Sequence, residues 1–228
     1  FKGDRLLAKD YARYGLPVGI VDAQWAIVGM VKAGIIGHLG EQMIAANSIA
    51  ESLMQLGMIF TSSLAGGACV VIGKTVGAGD YDRTRAYSKT IQLMFLMIGV
   101  VMAAIVFFVR VPFSNLYSGI SAETKLLATQ MIALGAITMI GTTYHASCFV
   151  GINRGAGDSR FVMVVDMICG WLVVLPLSFL AAFVWKLPLP WVFLMIRVDQ
   201  LFKWIIAFFR LRGDKWIKNV TRSDTLEK

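Results

Sequence analysis

The chain has 228 residues, 57% of them hydrophobic and 16% charged, with a net charge of +8 and a mean hydropathy of +0.68. A water-soluble domain holds roughly 45–50% apolar residues, so this composition excludes an ordinary soluble globule. The basic balance does not indicate nucleic acid, because the Lys and Arg residues lie in the gaps between apolar runs rather than on one polar face.

Six apolar runs occupy residues 17–36, 43–73, 91–109, 126–152, 161–184 and 190–209. Each is long enough to cross a hydrocarbon core of about 30 Å as a helix rising ~1.5 Å per residue. In lipid every backbone N–H and C=O needs a partner within the chain, so runs of this length predict helices. The expected fold is all-α, a polytopic bundle of six transmembrane helices. Sixteen Lys and Arg fall in gaps 1–16, 74–89, 153–160 and 210–228, against three in gaps 37–42, 110–125 and 185–189. That asymmetry predicts a multi-pass cell-membrane protein with both termini in the cytoplasm.

In chain order, residues 1–14 carry alternating charge and read as a cytoplasmic linker or short interfacial helix. The start at Phe1, polar and basic with no initiator Met, looks like a linker cut in mid-protein; a processed or engineered start is the other reading. The membrane lobe is expected over 15–211, with Pro17 in the first turn of span one, where its missing N–H costs nothing. The turnaround Gly37-His38-Leu39-Gly40-Glu41-Gln42 is short enough to make spans one and two antiparallel neighbours. The string Gly-Ala-Gly-Asp occurs twice, at 77–80 after span two and at 155–158 after span four. In each copy a left-handed glycine can end one helix and the aspartate can cap the next. No strand precedes either copy and no Walker lysine follows, so neither is a phosphate loop. Trp185 and Trp191 flank an outer gap and Trp216 lies beyond the inner end, as interfacial anchors would. Residues 212–228 form the expected cytoplasmic tail. Cys69, Cys148 and Cys169 fall inside apolar runs without metal-ligand spacing, and no disulfide is expected.

The ordered set Gly15-Leu16-Pro17-Val18, Gly37-His38-Leu39-Gly40, Ile44-Ala45-Ala46-Asn47-Ser48-Ile49-Ala50, Val76-Gly77-Ala78-Gly79-Asp80-Tyr81-Asp82-Arg83 and Asn153-Arg154-Gly155-Ala156-Gly157-Asp158-Ser159-Arg160-Phe161 resembles the second half of a MATE (multidrug and toxic compound extrusion) transporter. The tail Lys215-Trp216-Ile217-Lys218-Asn219-Val220-Thr221-Arg222 is similar to the ends of many bacterial members, so the resemblance covers essentially the whole chain. It implies one lobe of a two-lobe, twelve-helix antiporter. Such proteins export cationic amphipathic compounds in exchange for H⁺ or Na⁺ by alternating access. The implied partners are the lipid bilayer, a small organic cation, and an amino-terminal six-helix lobe, or a second copy if the native protein is half-size. No cofactor beyond the coupling ion is implied.

Ionisable groups inside spans are costly and are functional candidates by default. Asp22 lies about a turn and a half into span one, where the family commonly carries a coupling acid. The family position itself falls on Trp25, one helical turn from Asp22. The competing reading is a structural carboxylate near the interface, snorkelling or hydrogen-bonded to Gln24 or to a neighbouring helix. Glu51 lies nine residues past the turnaround, ~13 Å deep by helical rise. Lys32 on the adjacent span is expected to pair with it, as a structural ion pair or as a base that a proton or substrate cation displaces. In span four the resemblance puts a coupling acid at Thr143, but the span holds no acid; His145 is the titratable group there, as proton carrier or as hydrogen-bonded core. With Gln24, Trp25 and Asn47 these residues form the candidate ion-coupling and substrate-binding set. Asp199 and Lys203, four apart on span six, read as a self-neutralising pair, with Arg197 on another face. Asp166 is expected to pair with Arg160 or Arg154. Twelve Met and fourteen Phe suit a pump for varied apolar cations.

No Ser/His/Asp arrangement, metal cluster or phosphate loop stands out, so an enzyme is not expected. Two alternatives remain beside the antiporter. One is a lipid-linked saccharide flippase of a related fold, which would use Lys32 on a phosphate. The other is a membrane structural protein without transport.

Overall fold

The computed structural model describes the backbone of residues 5–218 and the side chains of 15–218. The described chain is helical, with α1 (Arg5–His38), α2 (Glu41–Gly77), α3 (Tyr81–Asn115), α4 (Ala122–Arg154), α5 (Ser159–Val184), α6 (Leu189–Ile196) and α7 (Asp199–Arg212). The first five match the first five apolar runs and are long and apolar enough to cross a membrane. The linker expected before residue 15 is continuous with span one, because α1 runs from Arg5 straight through Pro17. The segment 1–4 and the tail beyond 218 lie outside the described residues.

Helix α4 is the hub. It packs on α2, α3, α6 and α7, and 56% of its most apolar stretch is buried, against 17% for α3. The low figure for α3 leaves a long apolar face outward, including Leu93, Met97, Val100, Val101, Ile105 and Phe108, as lipid requires. Helix α1 packs mainly on α5 and little on α2. This arrangement leaves a cleft between α1, α2 and α4. Close approach of α2 and α4 depends on small residues, since a Cβ on Gly155 would lie 2.7 Å from the carbonyl oxygen of Cys69.

Both Gly-Ala-Gly-Asp strings fold alike. Gly79 and Gly157 take φ of +73° and +82°. The N–H groups of Asp80 and Asp158 donate to Thr75 O and Asn153 O at 3.1 and 2.8 Å, and those of Gly79 and Gly157 to Val76 O and Arg154 O at 3.0 and 3.1 Å. These are the paired bonds of a Schellman helix stop. Asp80 then caps α3, accepting from the Arg83 N–H at 3.1 Å. Asp158 occupies the equivalent position but its side chain makes no cap bond to α5.

The sixth run is two helices, not one. The chain leaves the α-helical path at Arg197 (φ −117°, ψ 15°). Around it the N–H groups of Arg197, Val198, Gln200 and Leu201 bond three residues back instead of four. No Gly or Pro sits at 196–199, so nothing in the local sequence announces the break. Its surroundings account for it: α4 approaches so closely that a Cβ on Gly141 would lie 2.1 Å from the Gln200 carbonyl oxygen. Span five has its own irregularity. It is wound wider, in the i→i+5 manner, over Ile168–Val174 and Leu180–Val184, on either side of the turn that holds Pro176.

Past α7, residues 213–218 fold back across the ends of α2 and α4. Trp216, expected at the lipid interface, is instead fully buried on Ile72, Val76, Ile152 and Ala156. The Lys218 N–H donates to Ala156 O at 2.9 Å, and Arg85 Nε donates to Asp214 Oδ1 at 3.0 Å. Asp158 explains the missing cap: it is fully buried and paired with Arg210 and Lys218.

Candidate functional site

A cavity of about 450 Å³ opens between α1, α2, α4, α5 and the α6–α7 break. Its wall carries Asp22 and Trp25 from α1, Met58 and Thr61 from α2, Thr142, His145 and Phe149 from α4, Asp166 from α5, and Arg197, Asp199, Gln200 and Lys203 from the broken span. The charged groups fall into three sets.

The first set is buried. Lys203 Nζ lies 2.7 Å from Asp166 Oδ1 and 3.0 Å from Asp199 Oδ2, and these three side chains are 2%, 9% and 3% exposed. The ammonium also stands 4.3 Å from the centre of the Trp25 ring. Gln200 Nε2 donates to Asp199 Oδ2 at 2.8 Å, and Thr142 Oγ1 donates to Gln200 Oε1 at 3.0 Å. The Asp199–Lys203 pair expected from the i,i+4 spacing is therefore present. Asp166 completes it, pairing with Lys203 rather than with Arg160 or Arg154. With both acids ionised, two carboxylates against one ammonium leave one surplus negative charge.

The second set sits at the break. Glu51 pairs with Arg197, whose Nη2 is 2.7 Å from Oε2 and whose Nε is 3.3 Å from Oε1. The expected partner Lys32 makes no ion pair with Glu51. The break turns the Arg197 guanidinium toward α2, and its planar fork matches the carboxylate better than a lysine point charge would. Lys32, Glu51 and Asn47 line a second cavity of about 410 Å³ between α1 and α2, and Lys32 lines both cavities.

The third set is unpaired. Asp22, Lys32 and Arg154 line the main cavity and make no ion pair with a described side chain. Asp22 is exposed and does not bond Gln24; Gln24 is buried and donates Nε2 to the backbone oxygen of Asp166 at 3.3 Å. His145 Nδ1 lies 3.1 Å from Gly141 O; a carbonyl can only accept, so this nitrogen carries the hydrogen.

Of the candidate set, Asp22, Trp25, Lys32 and His145 meet at the main cavity, while Glu51 and Asn47 belong to the second. Thr143 belongs to neither. It is buried against α3, its Cβ 3.2 Å from where a Cβ of Gly99 would lie, and its neighbour Thr142 faces the cavity instead. A helical position turns about 100° from the next, so the adjacent residue points elsewhere. The sequence reads Asp166, Asp199 and Lys203 as members of structural pairs, and the structure brings all three, with Gln200, to the wall of the main cavity. The available signal was three ionisable groups at matching depth on the last two runs.

These features define a multi-pass membrane protein of transporter fold, with a polar, charged cavity inside an apolar bundle. The MatE family model matches residues 17–180, and the chain belongs to that family. It is 23% identical over 217 residues to the uncharacterized transporter YisQ of Bacillus subtilis, covering 92% of this chain and 47% of that protein. It is 24% identical over 168 residues to the multidrug resistance protein MdtK of Edwardsiella ictaluri, covering 74% and 36%. The fold matches a MATE transporter solved in complex with MaD5, with a TM-score of 0.84, 15% identity, and 98% of this chain on 51% of that one. It also matches a MOP-superfamily transporter from Pyrococcus furiosus whose binding pocket has reverse polarity, with a TM-score of 0.77, 15% identity, and 95% of this chain on 47% of that one. The chain thus spans about half the length, or less, of these relatives.

Proposed function

We propose that this chain forms the carboxy-terminal six-helix lobe of a secondary active antiporter. The transporter exports cationic, amphipathic organic compounds in exchange for H⁺ or Na⁺. It lies in the plasma membrane with both ends of this lobe in the cytoplasm, where the basic loops gather. An amino-terminal lobe of the same chain closes the cavity from the open side. The lobes rock about the cavity, as in other transporters built from parallel repeats. Family membership and the multidrug resistance protein MdtK among the relatives support this reading.

The observation that carries it is Asp22, a carboxylate on the cavity wall without a described ionic partner, in the company of Trp25, Met58 and Phe149. An organic cation that sheds water needs a negative charge and apolar or aromatic surfaces to meet it. The test is export of ethidium from cells making the two-lobe protein, with Na⁺ and pH varied independently. Asp22→Asn is expected to cut export at least tenfold at equal surface expression; unchanged export would remove Asp22 from the site.

A second reading rests on Lys32 and Arg154, bases on the same wall that make no ion pair with a described side chain. They favour a substrate with an anionic head, such as a phosphate-bearing lipid. Flipping of such a lipid, with no cation exported under any gradient, would establish it over the first.

A further inference from the structure

The strongest unexplained feature is the surplus charge of the buried triad, held between α5 and α7. Asp199 is the better-partnered of the two acids. It accepts from Lys203 Nζ and Gln200 Nε2, and it opens the first turn of α7, where the helix dipole favours an anion. Asp166 lies mid-helix, and Lys203 is the only side chain among the described residues that donates to its carboxylate. Of the two acids, Asp166 is the less supported.

A second observation points to the same place. Gln24, 5% exposed, gives its Nε2 to the backbone oxygen of Asp166, and its Oε1 has no donor among the described residues. That oxygen also lies 3.0 Å from where a Cβ of Gly170 would sit, one turn beyond Asp166 on α5. A buried acceptor without a donor accompanies a carboxylate that would become a donor on taking up one proton.

We infer that Asp166, Lys203 and Asp199 form a site for one exchangeable proton, held on Asp166, and that its occupancy sets the tie between α5 and α7. The inference rests on the antiporter reading and names the coupling ion and its place. On uptake, a proton from the cavity bonds to a carboxylate oxygen of Asp166. Lys203 keeps its own proton and its charge and stays with Asp199 as a neutral pair. The 2.7 Å bond between α5 and α7 is then given up. On release the proton returns to cavity water and the bond re-forms. Helix α7 can respond because the chain is already broken at Arg197, two residues before Asp199. Arg197 stays tied to α2 through Glu51, so the break separates a fixed half from a switchable half.

The other titratable and charged groups around the triad are Asp22 and Lys32 on α1, His145 and Arg154 on α4, Cys169 on α5, and the Arg197–Glu51 pair at the break. His145 is the rival titrating group, and Asp22 is the rival carboxylate. Neither makes an ion pair or hydrogen bond with Lys203, whose ammonium stands over the Trp25 ring. Trp25 therefore serves as the reporter.

The experiment is a pH titration of Trp fluorescence in the detergent-solubilised two-lobe protein, with a Trp25→Phe variant subtracted to isolate the reporter. No substrate is needed, so the result is independent of whether ethidium is carried. Wild type is expected to show a single-proton transition. Asp166→Asn and Asp199→Asn should each abolish it, because either leaves Lys203 with one acid and no surplus charge. The two variants are isosteric, and the second answers if the first does not fold. Asp22→Asn and His145→Gln should retain it. In liposomes containing ethidium, Asp166→Asn should lose at least tenfold of accumulation driven by a pH gradient. Wild type is expected to carry out ethidium-for-ethidium exchange without a gradient. A transition that survives both triad variants, or vanishes with His145→Gln, overturns the inference, as does accumulation driven by Na⁺ alone. Absence of ethidium exchange in wild type would instead remove the antiporter reading and leave the fluorescence result to decide the proton site.

Discussion

The two Gly-Ala-Gly-Asp turns share a sequence, a backbone and a pattern of hydrogen bonds, yet their aspartates do different things. Asp80 stays near the surface and caps the helix that follows it. Asp158 is fully buried and holds Arg210 and Lys218, which fasten the segment after α7 over the ends of α2 and α4. Four residues are enough to stop a helix and turn the chain, because a left-handed glycine and two backbone bonds are local properties. What the aspartate then meets depends on what arrives from 52 and 60 residues away.

That contrast can be broken from either side, and the expected losses fall in a clear order. Trp216→Ala removes the apolar weight of the strap and should cost about 3–5 kcal/mol, as large aromatic truncations in cores do. Asp158→Ala leaves two cations facing a buried gap; because both partners are partly exposed, the loss should be about 2–4 kcal/mol. Both should lower the apparent melting temperature of the detergent-solubilised two-lobe protein by several degrees. At the first turn, Gly79→Ala meets no steric obstacle and should cost about 1–2 kcal/mol, for the left-handed backbone alone. Gly79→Asn should recover most of that, since Asn tolerates the conformation. Asp80→Ala should cost about 1 kcal/mol, the worth of a helix cap. Equal losses for Asp80→Ala and Asp158→Ala in the same melts would show that the two turns are equivalent after all.

The same division runs through the cavity. Which residues would be buried ionisable groups was legible, because charge inside an apolar run stands out in any reading of this chain. Which of them pair was legible only within one helix. Asp199 and Lys203, four residues apart, were expected together and are together. Glu51 was expected to meet Lys32, its neighbour by depth, and meets Arg197. Depth along an axis follows from counting residues, but direction around it follows from packing. The break at Arg197 re-aims that side chain, and no Gly or Pro betrays the break. Thr143 fails for the same reason, one residue and about 100° from the cavity-facing Thr142.

By itself the sequence determined the class of this protein, its six apolar runs, its two helix-stopping turns and its family. Each rests on hydropathy, local backbone chemistry or ordered motifs, which need no knowledge of neighbours. Only the tertiary structure decided that the last span is broken, that Trp216 closes the bundle end, and that Asp166 joins Asp199 around Lys203. Those outcomes depend on groups far apart in sequence meeting at a few ångströms, where burial makes an ion pair necessary and the choice of partner a matter of which helix faces are turned together.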